Sequence, residues 1–352
     1  MFRIKISPEM LQLPRLLGLH PILANSPDEE GLRPLHLAVL SGKTSAVKSL
    51  LDAGADLGGT DRSGRSALHW SVACRENEIV KLLLAREAAI DVRDVRGASP
   101  LHYAASLDKG EDLARQLLVH GGAQPGGVDK RGRTALHWSA GAGRTATVRL
   151  LLTLQPNLGL NTDSDGLTAL HCSAARGQTN SLCSILSILP QLANARERGG
   201  ATGLMYAAKG GHRGAISALL RHGGAVDARD LAGQTALHWA LLGGHTRTAS
   251  LLKENGADLR QRTTSKDSIL HSAVKARNTE AVGWVVRFLF LLLPQLSLNY
   301  YSKLLSKNII KNRPFYCLCV VQLHTHTSCK ESSFPDKFHF RFPGMFRRAC
   351  PG

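Results

Sequence analysis

Gly132-Arg-Thr-Ala-Leu-His137 is followed by Gly166-Leu-Thr-Ala-Leu-His171, and this pair decides the fold. Working outward, the hexapeptide stands at Gly97-Ala-Ser-Pro-Leu-His102, Gly64-Arg-Ser-Ala-Leu-His69 and Gly31-Leu-Arg-Pro-Leu-His36 on one side. On the other side it reads Gly200-Ala-Thr-Gly-Leu-Met205, Gly233-Gln-Thr-Ala-Leu-His238 and a faded Lys266-Asp-Ser-Ile-Leu-His271. The starts at 31, 64, 97, 132, 166, 200, 233 and 266 set a period near 33 residues. A fixed period of this size predicts stacked supersecondary units rather than one global core.

The unit from Asp230 to Arg262 shows what each copy does. Asp230-Leu-Ala-Gly233 is a turn sequence, because glycine tolerates backbone conformations that other residues resist. Thr235 stands where a helix N-cap belongs, and Leu237, Ala240 and Leu241 recur at helical spacing. Gly243-Gly244 breaks this helix, a second runs through Ala249, Leu251 and Leu252, and Gly256 ends it. One such unit cannot bury both helices. Stacking buries the pairs Leu50-Leu51, Leu82-Leu83, Leu117-Leu118, Leu151-Leu152, Ile185-Leu186, Leu219-Leu220 and Leu251-Leu252.

These motifs resemble the ankyrin-repeat family from about residue 9 to residue 288. The resemblance implies an all-α solenoid of about eight helix-turn-helix repeats. It also implies that the motif histidine bridges turn backbones, and that proteins bind through the turn tips and the exposed face of the first helices. The Ala-Leu-His-Trp variant is similar to that of inversin-like ankyrin proteins, although the tetrapeptide occurs across the family.

Seven of the eight copies keep the histidine. Stacking spreads these rings into a ladder, one per layer, so they do not converge on a metal or a catalytic centre. The residue after the histidine is often aromatic, as in Trp70, Tyr103, Trp138, Tyr206 and Trp239. Such rings serve as large apolar fill between adjacent first helices.

The 352 residues carry a formal charge of +17. The C-terminal stretch 289–352 holds nine Lys/Arg against two Asp/Glu, and the remainder is basic too. Seven scattered cysteines, an odd number, suit a reducing compartment, so a cytoplasmic protein is expected, with nuclear, ciliary or cytoskeletal placement compatible. The apolar run at the N-terminus is broken by Pro14, which argues against a signal peptide. The stretch from Trp284 to Leu298 is too short to span a bilayer and reads as the last repeat's second helix running into the tail.

Residues 1–30 read as a partial repeat or cap, because Pro21-Ile-Leu-Ala-Asn25 parallels Pro190-Gln-Leu-Ala-Asn194. Exposed Leu11, Leu13, Leu16, Leu17, Leu19 and Ile22 would then call for further sequence or a covering partner. Residues 31–288 are the array, and 289–352 read as a basic, irregular and disordered tail. The tail's Cys317, Cys319, His324, His326 and Cys329 have Cys-x-Cys and His-x-His spacing, which is not that of ordinary structural zinc sites. No metal, cofactor or catalytic site is expected. Phosphate-loop, zinc-protease, serine-hydrolase and kinase motifs are all missing from the sequence.

Two surfaces offer binding. The turn tips carry Arg62, Arg65, Arg93, Arg96, Lys130, Arg131, Arg133, Arg196, Arg198 and Arg229, which stacking would align into a basic ridge. Alternatively, these cations pair with the turn carboxylates Asp61, Asp94, Asp129 and Asp230. The first-helix face is lined with small residues, including Gly141, Ala142 and Ala175, with Leu40, Leu107 and Leu242 adding apolar contact. The expected function is a non-catalytic, monomeric scaffold or adaptor that binds a protein partner with an acidic segment. The alternatives are a fragment of a larger enzyme or signalling protein, and a binder of nucleic acid or an anionic membrane surface. The lack of exposed aromatic–basic alternation outside the tail weakens the nucleic-acid reading.

Overall fold

The hexapeptide places a turn, an N-cap and a first helix in every repeat, and the second apolar run adds a second helix. The computed structural model describes residues 21–292, with side chains from 23 to 288. The helix pairs are α1 (Pro34–Leu40) and α2 (Thr44–Asp52), α3 (Ala67–Ala73) and α4 (Asn77–Ala85), and α5 (Pro100–Ser106) and α6 (Glu111–Arg115). The next are α7 (Ala135–Ala142) and α8 (Thr145–Leu154), α9 (Ala169–Ala175) and α10 (Thr179–Ile188), and α11 (Gly203–Lys209) and α12 (Arg213–Arg221). The last are α13 (Ala236–Leu242) and α14 (Thr246–Glu254), then α15 (Ile269–Lys275) and α16 (Thr279–Leu292). The described residues form no strand, only isolated antiparallel bridges such as Val128 with Thr134. The array belongs to a compact unit that ends at Val286.

First helices pack on first helices along the whole array, from α1 on α3 to α13 on α15. Second helices form a second row, with contacts of α2 on α4, α6 on α8, α8 on α10 and α10 on α12. Each Leu-Leu pair puts at least one member in the core. Leu50, Leu83, Leu117, Leu219 and Leu252 are fully buried beside half-buried partners, and in the fourth and fifth repeats Leu151, Leu152, Ile185 and Leu186 are all buried. There the 3-10 turns Pro156–Leu160 and Pro190–Asn194 fold over the second helices and bury Leu158 and Leu192. The parallel between residues 21–25 and 190–194 is structural as well. Asn25 donates from Nδ2 to the Gly54 carbonyl (3.1 Å) and accepts the Asp56 N–H at Oδ1 (2.7 Å). Asn194 makes the same pair with Gly223 (2.9 Å) and Ala225 (2.7 Å).

Two further devices join neighbouring repeats. At the turn tips, backbone N–H groups donate to carbonyls of the preceding tip: Val95 to Ser63, Lys130 to Arg96, Ser164 to Arg131, Arg198 to Asp165, Leu231 to Gly199 and Thr264 to Ala232. Glycine is required for this approach. At Gly97 φ is +77°, and an added Cβ would lie 2.7 Å from the Lys130 nitrogen. The motif histidine is the second device. His137 accepts the Thr134 N–H at Nδ1 (3.2 Å), which leaves Nε2–H to donate to the Leu167 carbonyl of the next repeat (2.9 Å). His69, His102 and His171 bind the Ala98, Arg133 and Ala195 carbonyls in the same way. The ring thus replaces the Glu or Gln of an ordinary capping box and also reaches the next layer. The sixth repeat shows what its loss leaves. Met205 fills the position, and the hydroxyl of Thr202 is buried without a partner.

The stretch from Trp284 to Leu298 enters helix α16 as far as Leu292. Among the described residues no helix is long and apolar enough to cross a membrane. The apolar residues at 11–19, the tail beyond 292 and the Cys317–Cys329 constellation lie outside the described residues.

Candidate binding groove

The groove is built from the turn aspartate, the residue before the helix cap and the residue after the histidine. In the fourth repeat the Asp129 Oδ1 accepts the N–H groups of Arg131 and Arg133, both at 2.9 Å. Its Oδ2 accepts Arg133 Nε (2.9 Å) and the indole N–H of Trp138 (3.0 Å). The Arg133 guanidinium also lies 5.3 Å from the Trp138 ring centroid. Asp61, Arg65 and Trp70 repeat this knot, with Arg65 4.0 Å from the ring. Asp94 holds Arg96 and the Tyr103 hydroxyl (2.8 Å), and Asp230 takes the Trp239 indole (2.9 Å). Burial alone would raise the carboxyl pKa of Asp61, Asp94 and Asp129. The backbone and side-chain donors outweigh it and hold all three below the usual carboxylate range. The rings are therefore half-buried fill, as the sequence suggests, and also hydrogen-bond donors that lock the turn.

The predicted basic tips divide into three groups. Arg65, Arg96 and Arg133 pair with their own turn carboxylates. Arg93, Arg196 and Arg229 reach across to the next repeat and donate to the backbone carbonyls of Val128, Arg229 and Arg262. Their guanidinium groups bridge the inter-repeat seam and remain exposed to solvent. Arg62, Lys130, Arg131 and Arg198 are exposed and form no ion pair among the described residues. Leu40, Leu107 and Leu242 are all half-buried. Leu107 borders a cavity of about 450 Å³ with Asp108 and Arg144, which are paired at 3.1 Å.

The aromatic positions form a row along the first helices. Tyr103 and Trp138 are 6.2 Å apart, and Tyr206 and Trp239 are 5.4 Å apart. Between these pairs the fifth repeat carries Cys172, and a cleft of about 420 Å³ opens there. Its lining includes Arg133, Trp138, Cys172, Arg176 and Tyr206, above the small residues Gly141, Ala142 and Ala175 that the sequence placed on this face. Burial pushes the Cys172 thiol up to about 11, which disfavours its thiolate at neutral pH. The described residues bring no metal-binding group of three His, Cys, Asp or Glu together. Sequence reading tallied the rings that are present. The empty place among them, at Cys172, is visible only when the repeats are aligned column by column.

Comparison with known families agrees with this geometry. The family described as ankyrin repeats (3 copies) matches five overlapping stretches: residues 13–94, 35–129, 101–190, 178–263 and 204–290. The chain belongs to the ankyrin-repeat family. The match is to the repeat family as a whole and does not single out inversin-like proteins. No curated protein matches the chain. Ankyrin repeats are in general protein–protein interaction modules, and their fold is typically non-catalytic.

Proposed function

We propose that this ankyrin-repeat chain is a monomeric, non-catalytic adaptor that binds an acidic, extended segment of a protein partner along its first-helix face. The charge around the central cleft carries this reading. The cleft lining holds Arg96, Arg133 and Arg176 and no carboxylate, with Asp163, Asp165 and Glu197 near its Cys172 and Tyr206 side. Small residues on the floor leave room for a main chain, and the exposed Lys130 and Arg198 extend the field along the tips. A reducing compartment such as the cytoplasm fits the free thiols of Cys74, Cys172 and Cys183.

The test is fluorescence anisotropy with a labelled glutamate-rich peptide, compared with its lysine-rich counterpart and with duplex DNA. The glutamate-rich peptide should bind best. The triple substitution Lys130→Glu, Arg131→Glu and Arg176→Glu should weaken it by at least about tenfold without changing the circular dichroism. Equal affinity in that variant would remove the acidic-segment reading. Tighter binding of DNA with a steep salt dependence would favour nucleic acid instead.

A further inference from the structure

In four repeats the ring after the motif histidine donates to the turn aspartate: Trp70 to Asp61, Tyr103 to Asp94, Trp138 to Asp129 and Trp239 to Asp230. The fifth repeat keeps the acceptor and lacks the donor. Asp163 is 9% exposed, and its Oδ1 accepts the N–H groups of Asp165 and Leu167, both at 2.9 Å. Its Oδ2 receives no donor among the described residues. Leu167 stands where the second and fourth repeats have Arg65 and Arg133, and Cys172 stands where all four knots have a ring. The row therefore carries a vacancy one side chain wide, between Trp138 and Tyr206, in the cleft that these two rings and Cys172 line.

We propose that this vacancy is a binding pocket for a tryptophan or tyrosine side chain of the partner's acidic segment. The guest ring would rest against Trp138 and Tyr206 above the Cys172 thiol, with its N–H or O–H donated to Asp163 Oδ2. The protein's own repeats supply the template, since the guest would complete the contacts that Trp138 makes in the fourth repeat. Neighbouring rings 5.4 to 6.2 Å apart in the filled parts of the row leave room for one ring in the empty layer. Arg133 and Arg176 line the cleft and supply charge for carboxylates beside the aromatic residue. An aromatic anchor in a central pocket, ringed by complementary charge, is the usual arrangement of a binding hot spot. A nucleotide would also offer a ring and negative charge, and ATP is therefore one arm of the test.

This inference rests on the acidic-segment reading, and the test separates the two. The full chain is titrated with two labelled glutamate-rich peptides that differ only in a central Trp or Ala, and with ATP. The Trp peptide should bind about tenfold more tightly than the Ala peptide. Cys172→Trp, which fills the place from within, should abolish the preference for the Trp peptide over the Ala peptide. Cys172→Ala, which keeps the place open, should preserve that preference. Equal binding of the two peptides by the wild-type chain would overturn the pocket, whether or not Cys172→Trp folds, and would leave the acidic groove standing. Undiminished preference for the Trp peptide in folded Cys172→Trp would overturn it too, as would ATP binding that Cys172→Trp abolishes. Failure of both peptides to bind would overturn the groove and the pocket together.

Discussion

The fourth and fifth repeats share the core Thr-Ala-Leu-His, at 134–137 and 168–171, and differ in the residues on either side of it. Arg133 and Trp138 close the fourth repeat into a knot around Asp129, whereas Leu167 and Cys172 leave the fifth open above Asp163. The shared core holds each layer to the next through one imidazole, so the flanking positions are free to vary without loosening the stack. The inter-repeat bracket and the proposed recognition position thus occupy adjacent residues of one motif. This separation also fits an array whose stability comes from nearest-neighbour interfaces, because a surface change in one layer does not propagate.

Acid is the broadest challenge to the shared part. Burial lowers the pKa of His36, His69, His102, His137, His171, His238 and His271 below the ordinary 6.5. These rings stay neutral in the fold, while the unfolded chain takes up protons once the pH falls below 6.5. Stability is therefore level above that pH and declines below it, until the folded rings protonate in turn. The depressed turn aspartates Asp61, Asp94 and Asp129 add a further loss only below 3.8. Urea midpoints should drop between about pH 7.5 and about pH 5, in the fourth and fifth repeats alike when followed by amide exchange. A flat profile would contradict the buried, neutral bracket.

Single substitutions sharpen the contrast. His137→Ala and His171→Ala should each cost about 3 kcal/mol in urea unfolding, because each orphans a buried cap and a carbonyl of the next repeat. Markedly unequal costs would mean that the two repeats do not share one bracket. Closing the fifth repeat with Leu167→Arg and Cys172→Trp should raise stability by about 1–2 kcal/mol through a new knot on Asp163. Met205→His should gain about 1 kcal/mol by giving the Thr202 hydroxyl its partner, and it should steepen the acid profile.

Much of this was legible in the sequence because glycine and histidine are read by what the backbone needs. Gly97 and Gly132 mark turns that admit no side chain, and the spacing of His137 and His171 already places one ring per layer. Gly141, Ala142 and Ala175, which the sequence places on the first-helix face, line the cleft. The long cations were not legible in this way. Arg93, Arg196 and Arg229 share a motif position with a carbonyl of the next layer in reach, and sequence spacing does not show to which side such a side chain turns. Asp163 likewise carries no signal of its own. Its meaning comes from the missing partners at 167 and 172, a relation between columns of the repeat and not a motif.

Amide hydrogen exchange of the full chain, with and without the glutamate-rich Trp peptide, tests most directly whether the open fifth repeat is where this array binds. New protection should centre on the segments around Gly141–Ala142 and Leu167–Arg176, with the first and last repeats unchanged. Protection confined to either end of the array, or spread evenly along it, would contradict the account.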